Sequence, residues 1–161
     1  MDHLWSPWRM KYISRSEKKA GCIFCNAADC TDSEENLIVR RTKLAFVILN
    51  RYPYNSGHVM VVPFAHQPSL VSLDKATQAE MMELINESLK TIESLYKPQG
   101  FNVGANIGSI AGAGVADHVH FHIVPRWAGD TNFMTTVGEA RVLPEELSQT
   151  YQRLKDGWQV G

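Results

Sequence analysis

At 161 residues the chain is long enough to bury one sizeable core and is most economically a single domain. Apolar residues make up 44% and charged residues 20%, the composition of an ordinary soluble domain rather than of a disordered or membrane-spanning one. The formal net charge of −1 leaves no basic footprint for a nucleic-acid duplex or an anionic membrane, so an anionic ligand has to be held by local groups.

Residues 1–21 form a basic, aromatic arm in which Trp5 and Trp8 flank Ser6-Pro7. Two tryptophans this close are expected to pack on the body or on a second subunit. The arm has no apolar run of signal-peptide length, which points to a cytoplasmic protein. Cys22-Ile-Phe-Cys25 follows, with Cys30 as the third cysteine. Without a secretion signal, a close pair reads as metal or redox chemistry rather than a disulfide framework. A thioredoxin-type role is weaker, because no strand precedes the pair and no helical pattern clearly follows it. No second Cys-x-x-Cys exists, so metal partners have to be histidines, with His66 and His118 as candidates. The alternative is a pair of reduced free thiols.

Residues 37–41 and 44–50 read as two strands joined by a short turn, and period two puts Phe46, Ile48 and Asn50 on one side. Asn50–Gly57 is a loop by its Pro, Asn, Ser and Gly content. A third strand runs from His58 to Pro63, which cannot donate to a ladder. The one long helix spans about Asp74–Lys97, with Met81, Ile85, Leu89 (or Ser88), Ile92 and Leu95 on a core-facing stripe. Thr77-Gln-Ala-Glu80 fits a capping box, and Asp74 could cap earlier. A fourth strand covers 101–107, and a short terminal helix covers 144–154, with Leu147, Tyr151 and Leu154 as its packed side.

A small-residue loop, 108–116, leads into Asp117-His-Val-His-Phe-His-Ile-Val-Pro-Arg126. Such a loop is most often a tight turn; leading into histidines, it suits an oxyanion cradle of backbone N–H groups. Three of the six histidines fall in this stretch at strict period two, separated by β-branched or aromatic residues. The alternation predicts a half-buried strand with its imidazoles on one face. Three imidazolium ions in a row would repel, so the face is expected to be catalytic or metal-bound. At roughly 3.3 Å per residue, His118 and His122 stand about 13 Å apart, too far to share one ion with bonds of about 2 Å. The row therefore divides its work between a metal end and a chemical end.

His118-Val-His120-Phe-His122-Ile-Val124 resembles the motif of the histidine triad (HIT) family of nucleotidyl hydrolases and transferases. Residues 46–58 resemble the family's nucleoside-binding strand and turn in the longer form of the fragile-histidine-triad branch. The opening Leu4–Arg9, the cysteine pair and Pro125–Met134 resemble the bacterial branch of diadenosine tetraphosphate phosphorylases and hydrolases. The resemblance runs from about residue 4 to 154.

The resemblance implies an α+β, HIT-like fold: about five antiparallel strands packed against one long helix, plus a short C-terminal helix, in a homodimer. The arm 1–21, a catalytic body 22–134 and a helical extension 135–161 would form one domain. It implies cleavage of a dinucleoside polyphosphate or related nucleotide conjugate at the α-phosphate. His120 would be the nucleophile, His122 and Asn106 would contact phosphate, and Asn50 would bind the ribose hydroxyls. Phe46 and Ile48 would face the base. In members carrying the cysteine pair, zinc joins Cys22, Cys25, His66 and His118 in a closed structural site. His58, in the family's Gly-His position, would support the site from behind, or be a plain core histidine. Many members have Gly-Gln-Ser or Gly-Gln-Thr just before the triad, with one residue fewer. Here Gly112-Ala-Gly-Val-Ala-Asp117 lacks that amide, so phosphate contacts would fall to backbone N–H groups of Gly112, Ala113, Gly114 and Val115. Two other readings stand beside this one. One is a zinc-stabilised nucleotide-binding module with little catalysis. The other, a cupin-like metalloenzyme, lacks a distal ligand because no histidine follows His122.

Overall fold

The computed structural model describes residues 21–130 and 145–159. The aromatic arm 1–20, the segment from Thr131 to Met134 and Pro144 lie outside the described residues. Five strands form one sheet in the order β1-β2-β3-β5-β4, every neighbouring pair antiparallel. They are β1 (Ile38–Arg41), β2 (Ala45–Leu49), β3 (Val59–Pro63), β4 (Gly100–Gly104) and β5 (Phe121–Arg126). Every residue of β2 and β3 is buried, as central strands require, whereas edge strand β4 is largely exposed.

The described residues also form three α-helices, α1 (Ile23–Ala28), α2 (Lys75–Tyr96) and α3 (Leu147–Gln159), and two single 3-10 turns at Leu70–Ser72 and Ser109–Ala111. α2 lies on β2, β3 and β5, and α3 packs on α2 and β1. The buried face of α2 comprises Thr77, Met81, Leu84, Ile85, Ser88 and Ile92, while Leu89 and Leu95, at the margin of the stripe, are only partly buried. Its cap is Asp74, whose carboxylate accepts from the Thr77 N–H at 2.8 Å. Glu80 does not close a capping box. Its carboxylate accepts instead from the Thr42 hydroxyl and the Leu44 N–H, tying α2 to the β1–β2 turn.

Four elements differ from the sequence reading. β4 stops at Gly104, short of residue 107, which leaves Asn106 in the following loop, and α3 runs over Leu147–Gln159 rather than 144–154. A helix does form at the cysteine pair, starting after Cys22 and containing Cys25, but α1 has only six residues, too few for periodicity to reveal. The histidine strand is shorter than the alternation predicts, beginning at Phe121 rather than Asp117. Its register against β3 pairs Val61 with Phe121, so Val119 falls opposite Pro63, which has no N–H to offer. The Val119 N–H turns away and donates to the Gln67 carbonyl at 2.7 Å. The row of histidines therefore straddles the mouth of β5 instead of lying along it. No helix among the described residues is long and apolar enough to cross a membrane.

Ile92 is fully buried on α2. Ile92→Ala should lower the unfolding free energy by about 2–5 kcal/mol. A urea titration reads the change, and a smaller loss would mean that α2 is not the main cover of the sheet.

Candidate active site and metal cluster

Register decides which side chains share the histidine face. Ile48 stands opposite Met60, Met60 opposite His122, and His122 opposite Gly104. Directly paired residues share a face, as do alternate residues of one strand. Phe46, Ile48, Met60 and His122 thus form one surface. Phe46 is fully buried in it, its ring 5.1 Å from that of Phe64, and Ile48 keeps 7% exposure.

His120 lies just before β5 and is buried, its ring centroid 4.9 Å from that of His122. Its Nδ1 is 2.9 Å from the His118 carbonyl. A carbonyl only accepts, so Nδ1 carries the proton and Nε2 keeps its lone pair. Burial depresses the basicity of this ring, and the carbonyl partly offsets that effect. The result is a neutral imidazole with one nitrogen free to attack.

His58 organises His122 in the opposite sense. The Tyr54 N–H donates to His58 Nδ1 at 3.1 Å, so that nitrogen is unprotonated and the proton sits on Nε2. His58 Nε2 then donates to His122 Nδ1 at 2.9 Å. His122 in turn must carry its proton on Nε2. Two adjacent imidazoles therefore present complementary groups: a lone pair on His120 and an N–H on His122. The Tyr54 ring lies against both His58 and His122, with centroids 4.8 and 6.2 Å away. Tyr54 escaped the sequence reading because only tertiary packing lays its loop over the histidines.

The metal candidates gather on the other side of His120. The ligand atoms of Cys22, Cys25, His66 and His118 all lie within 4.8 Å of one another. His118 Nδ1 is 3.3 Å from Cys22 Sγ and 3.7 Å from Cys25 Sγ, and His66 Nδ1 is 3.4 Å from Cys25 Sγ. A tetrahedral ion with S and N ligands needs S···N edges of about 3.6 Å. His118 Nε2 donates to the Pro63 carbonyl at 2.8 Å, which leaves Nδ1 unprotonated and facing the sulfurs. Burial and the neighbouring Cys22 push the Cys25 thiol up. Distances, tautomer and donor chemistry all fit a cation. Cys30 stands apart, exposed, with its thiol on the Asn26 carbonyl.

The remaining candidates are placed less uniformly. Asn50 accepts from the Tyr52 N–H and sits 3.5 Å from His58 Nε2. Asn106 follows β4 in an exposed loop, and its amide donates to the Gly112 carbonyl at 3.4 Å. Gly112 and Ala113 commit their N–H groups to the loop's own turn, onto the Ser109 and Gly108 carbonyls. Phe24, inside the cysteine pair, was not anticipated. It is buried with its ring centroid 5.4 Å from His118 and 4.8 Å from His120.

Burial, reinforced by neighbouring imidazoles, depresses His122 to about 4 and His58 to about 3. The unfolded chain protonates these rings near pH 6.5, the folded one far lower, so stability falls as pH drops from 6.5 towards 4. His122 alone accounts for roughly 3 kcal/mol across that window. Imidazole NMR should show both rings neutral at pH 5, and titration near 6.5 would contradict this electrostatic picture.

A family model described as HIT domain matches residues 32–129. The chain is 39% identical over 166 residues to the AP-4-A phosphorylase of Mycobacterium tuberculosis, an alignment covering 98% of this chain and 85% of that protein. It is 30% identical over 138 residues to the adenosine 5'-monophosphoramidase hnt1 of Schizosaccharomyces pombe, covering 79% and 96% respectively. Among solved structures it resembles a hypothetical histidine triad nucleotide-binding protein of Sulfolobus tokodaii. The TM-score is 0.69 and the identity 25%, over 86% of this chain and 93% of that one. With the triad motif, the five-stranded antiparallel sheet and the family match in agreement, this chain belongs to the HIT family.

Proposed function

We propose that the protein cleaves dinucleoside polyphosphates, or related nucleotide conjugates, at the α-phosphate through a nucleotidyl-histidine intermediate. The observation that carries this reading is the bond from His120 Nδ1 to the His118 carbonyl, which leaves Nε2 as a neutral nucleophile. The similarity to an AP-4-A phosphorylase over nearly the whole chain supports the substrate class.

His120 Nε2 attacks the α-phosphorus and the bond to the bridging oxygen breaks. His122 Nε2–H donates to the oxygen that gains charge, with its proton held there by the His58 bond. The second nucleophile, water or phosphate, then displaces His120 and frees the nucleotide. Ile48, with Phe46 beneath it, walls the base, and Asn50 takes the ribose hydroxyls. Asn106 and the Gly112–Val115 loop meet the phosphates; Gly114 and Val115 supply N–H groups, since those of Gly112 and Ala113 serve the loop itself. His58 is the supporting residue. Zinc fits the Cys22, Cys25, His66 and His118 set, where four protein ligands leave no open position and the ion supplies a structural cross-link.

A homodimer is part of the same reading, as is a cytoplasmic location. The support for the dimer is the β4 edge and the loop after it, where Val103 on the strand and Ile107 in the loop are 44% and 45% exposed and Ile110 is fully exposed. Sedimentation of a Val103→Glu variant should show monomer where the parent shows dimer.

His120→Ala should abolish turnover of diadenosine tetraphosphate, by at least about 10⁴-fold, with the thermal transition retained. Mass spectrometry of the quenched parent enzyme should find AMP on the His120 peptide. Unchanged activity in the variant would refute the reading, and nucleotide binding without any adduct would favour a binding module. Products decide the acceptor: AMP plus ATP for water, ADP plus ATP for phosphate.

A further inference from the structure

His118 belongs to two constructions at once. Its ring places Nδ1 3.3 Å from Cys22 Sγ, while its backbone carbonyl receives the His120 Nδ1–H at 2.9 Å. Phe24 repeats the link from the other end. It lies between the two cysteines, and its buried ring packs 4.8 Å from that of His120. One short segment therefore supplies two metal ligands and the cover over the reactive imidazole.

Neither link is held firmly by local structure. Helix α1 has six residues, far below the roughly 12 needed for independent stability, and its N-cap Cys22 makes no side-chain capping bond. The His118 peptide lies outside β5, where no strand ladder holds it. Its described anchors are the ring bond to the Pro63 carbonyl and the adjacent Val119 N–H on Gln67. Gln67 directly follows His66, the fourth member of the cluster. Three chain segments thus meet at the cluster, and all three bear on where the His118 carbonyl points.

Resting on the function proposed above, we infer that the Cys22–Cys25–His66–His118 cluster is a positioning device for the nucleophile and not only a fold staple. A cation held there fixes the His118 carbonyl and the Phe24 ring. Together these keep His120 as the Nδ1–H tautomer with Nε2 turned to substrate. His118 and Phe24 are positioning residues that act through His120. Loss of the cation then lowers kcat for molecules that are still folded, with KM little changed, because ribose and phosphate contacts lie elsewhere.

His66 is the exposed member, so His66→Ala opens the cluster with least harm to the fold. Parent, His66→Ala and His66→Cys are each prepared with zinc, assayed well below their thermal transitions, and examined by ¹⁵N NMR of His120. The parent should hold one zinc per chain and show a single Nδ1–H tautomer. His66→Ala should lose zinc, show mixed tautomers and lose at least 10-fold in kcat with KM within about two-fold. His66→Cys, which restores a four-ligand set, should recover zinc, tautomer and most of the lost kcat. Zinc lost with tautomer and kcat unchanged would overturn the inference, as would a parent that binds no zinc. Should His66→Ala not fold, the same three readouts are taken on Cys25→Ser with the same outcomes. If the parent turned over no nucleotide conjugate, the proposed function would fail, while the nitrogen spectra would still decide this inference.

Discussion

The hydrogen bond from His120 Nδ1 to the His118 carbonyl is 2.9 Å long, and most of the site's chemistry depends on it. A neutral imidazole has one donor and one acceptor nitrogen, and a carbonyl accepts only. Binding the donor therefore commits the other nitrogen to be a base or nucleophile. Without that bond the ring could present either nitrogen, and burial alone would not choose between them. His118 and His120 precede β5, which begins at Phe121, so the His118 carbonyl is outside the strand ladder and accepts from the ring instead.

The same bookkeeping of donors and acceptors runs through the neighbouring rings. Tyr54 N–H settles His58, His58 settles His122, and Pro63 settles His118. Four close imidazoles would repel if charged, and burial opposes charge on each of them. The folded state resolves this by opposing charge on every ring and fixing each tautomer: His58, His118 and His122 carry the proton on Nε2, and His120 alone carries it on Nδ1. One consequence is asymmetry between chemically identical residues: the first triad histidine faces sulfurs, the second offers a lone pair, and the third offers an N–H.

The sheet exists to hold this arrangement at one end. Fully buried β2 and β3 provide a stiff centre, and α2 braces it against β2, β3 and β5. Pairing His122 with Met60 and Gly104 brings the histidine face beside Ile48 and Phe46. The β2–β3 loop then returns over that face with Tyr54, while α1 closes it with Phe24.

The strands β1, β2 and β3 were legible in sequence to within one residue or so at each end, because apolar period and Pro63 are local signals. So were α2, the spacing that separates His118 from His122, and the chemical plausibility of a Cys2His2 set. α1 was not legible, because six residues carry less than two turns of periodicity. The start of β5 was not legible either, since it depends on Pro63 lying across from Val119, a matter of register between segments about 56 residues apart. The roles of Phe24, Tyr54 and Glu80 lay equally out of reach, because each meets its partner only after the chain has folded back. Residue type and spacing determined by themselves which groups could do chemistry here. Only tertiary structure decided which nitrogen of each histidine carries the proton, because a tautomer is chosen by the donor or acceptor set opposite it, and those partners come from distant parts of the chain.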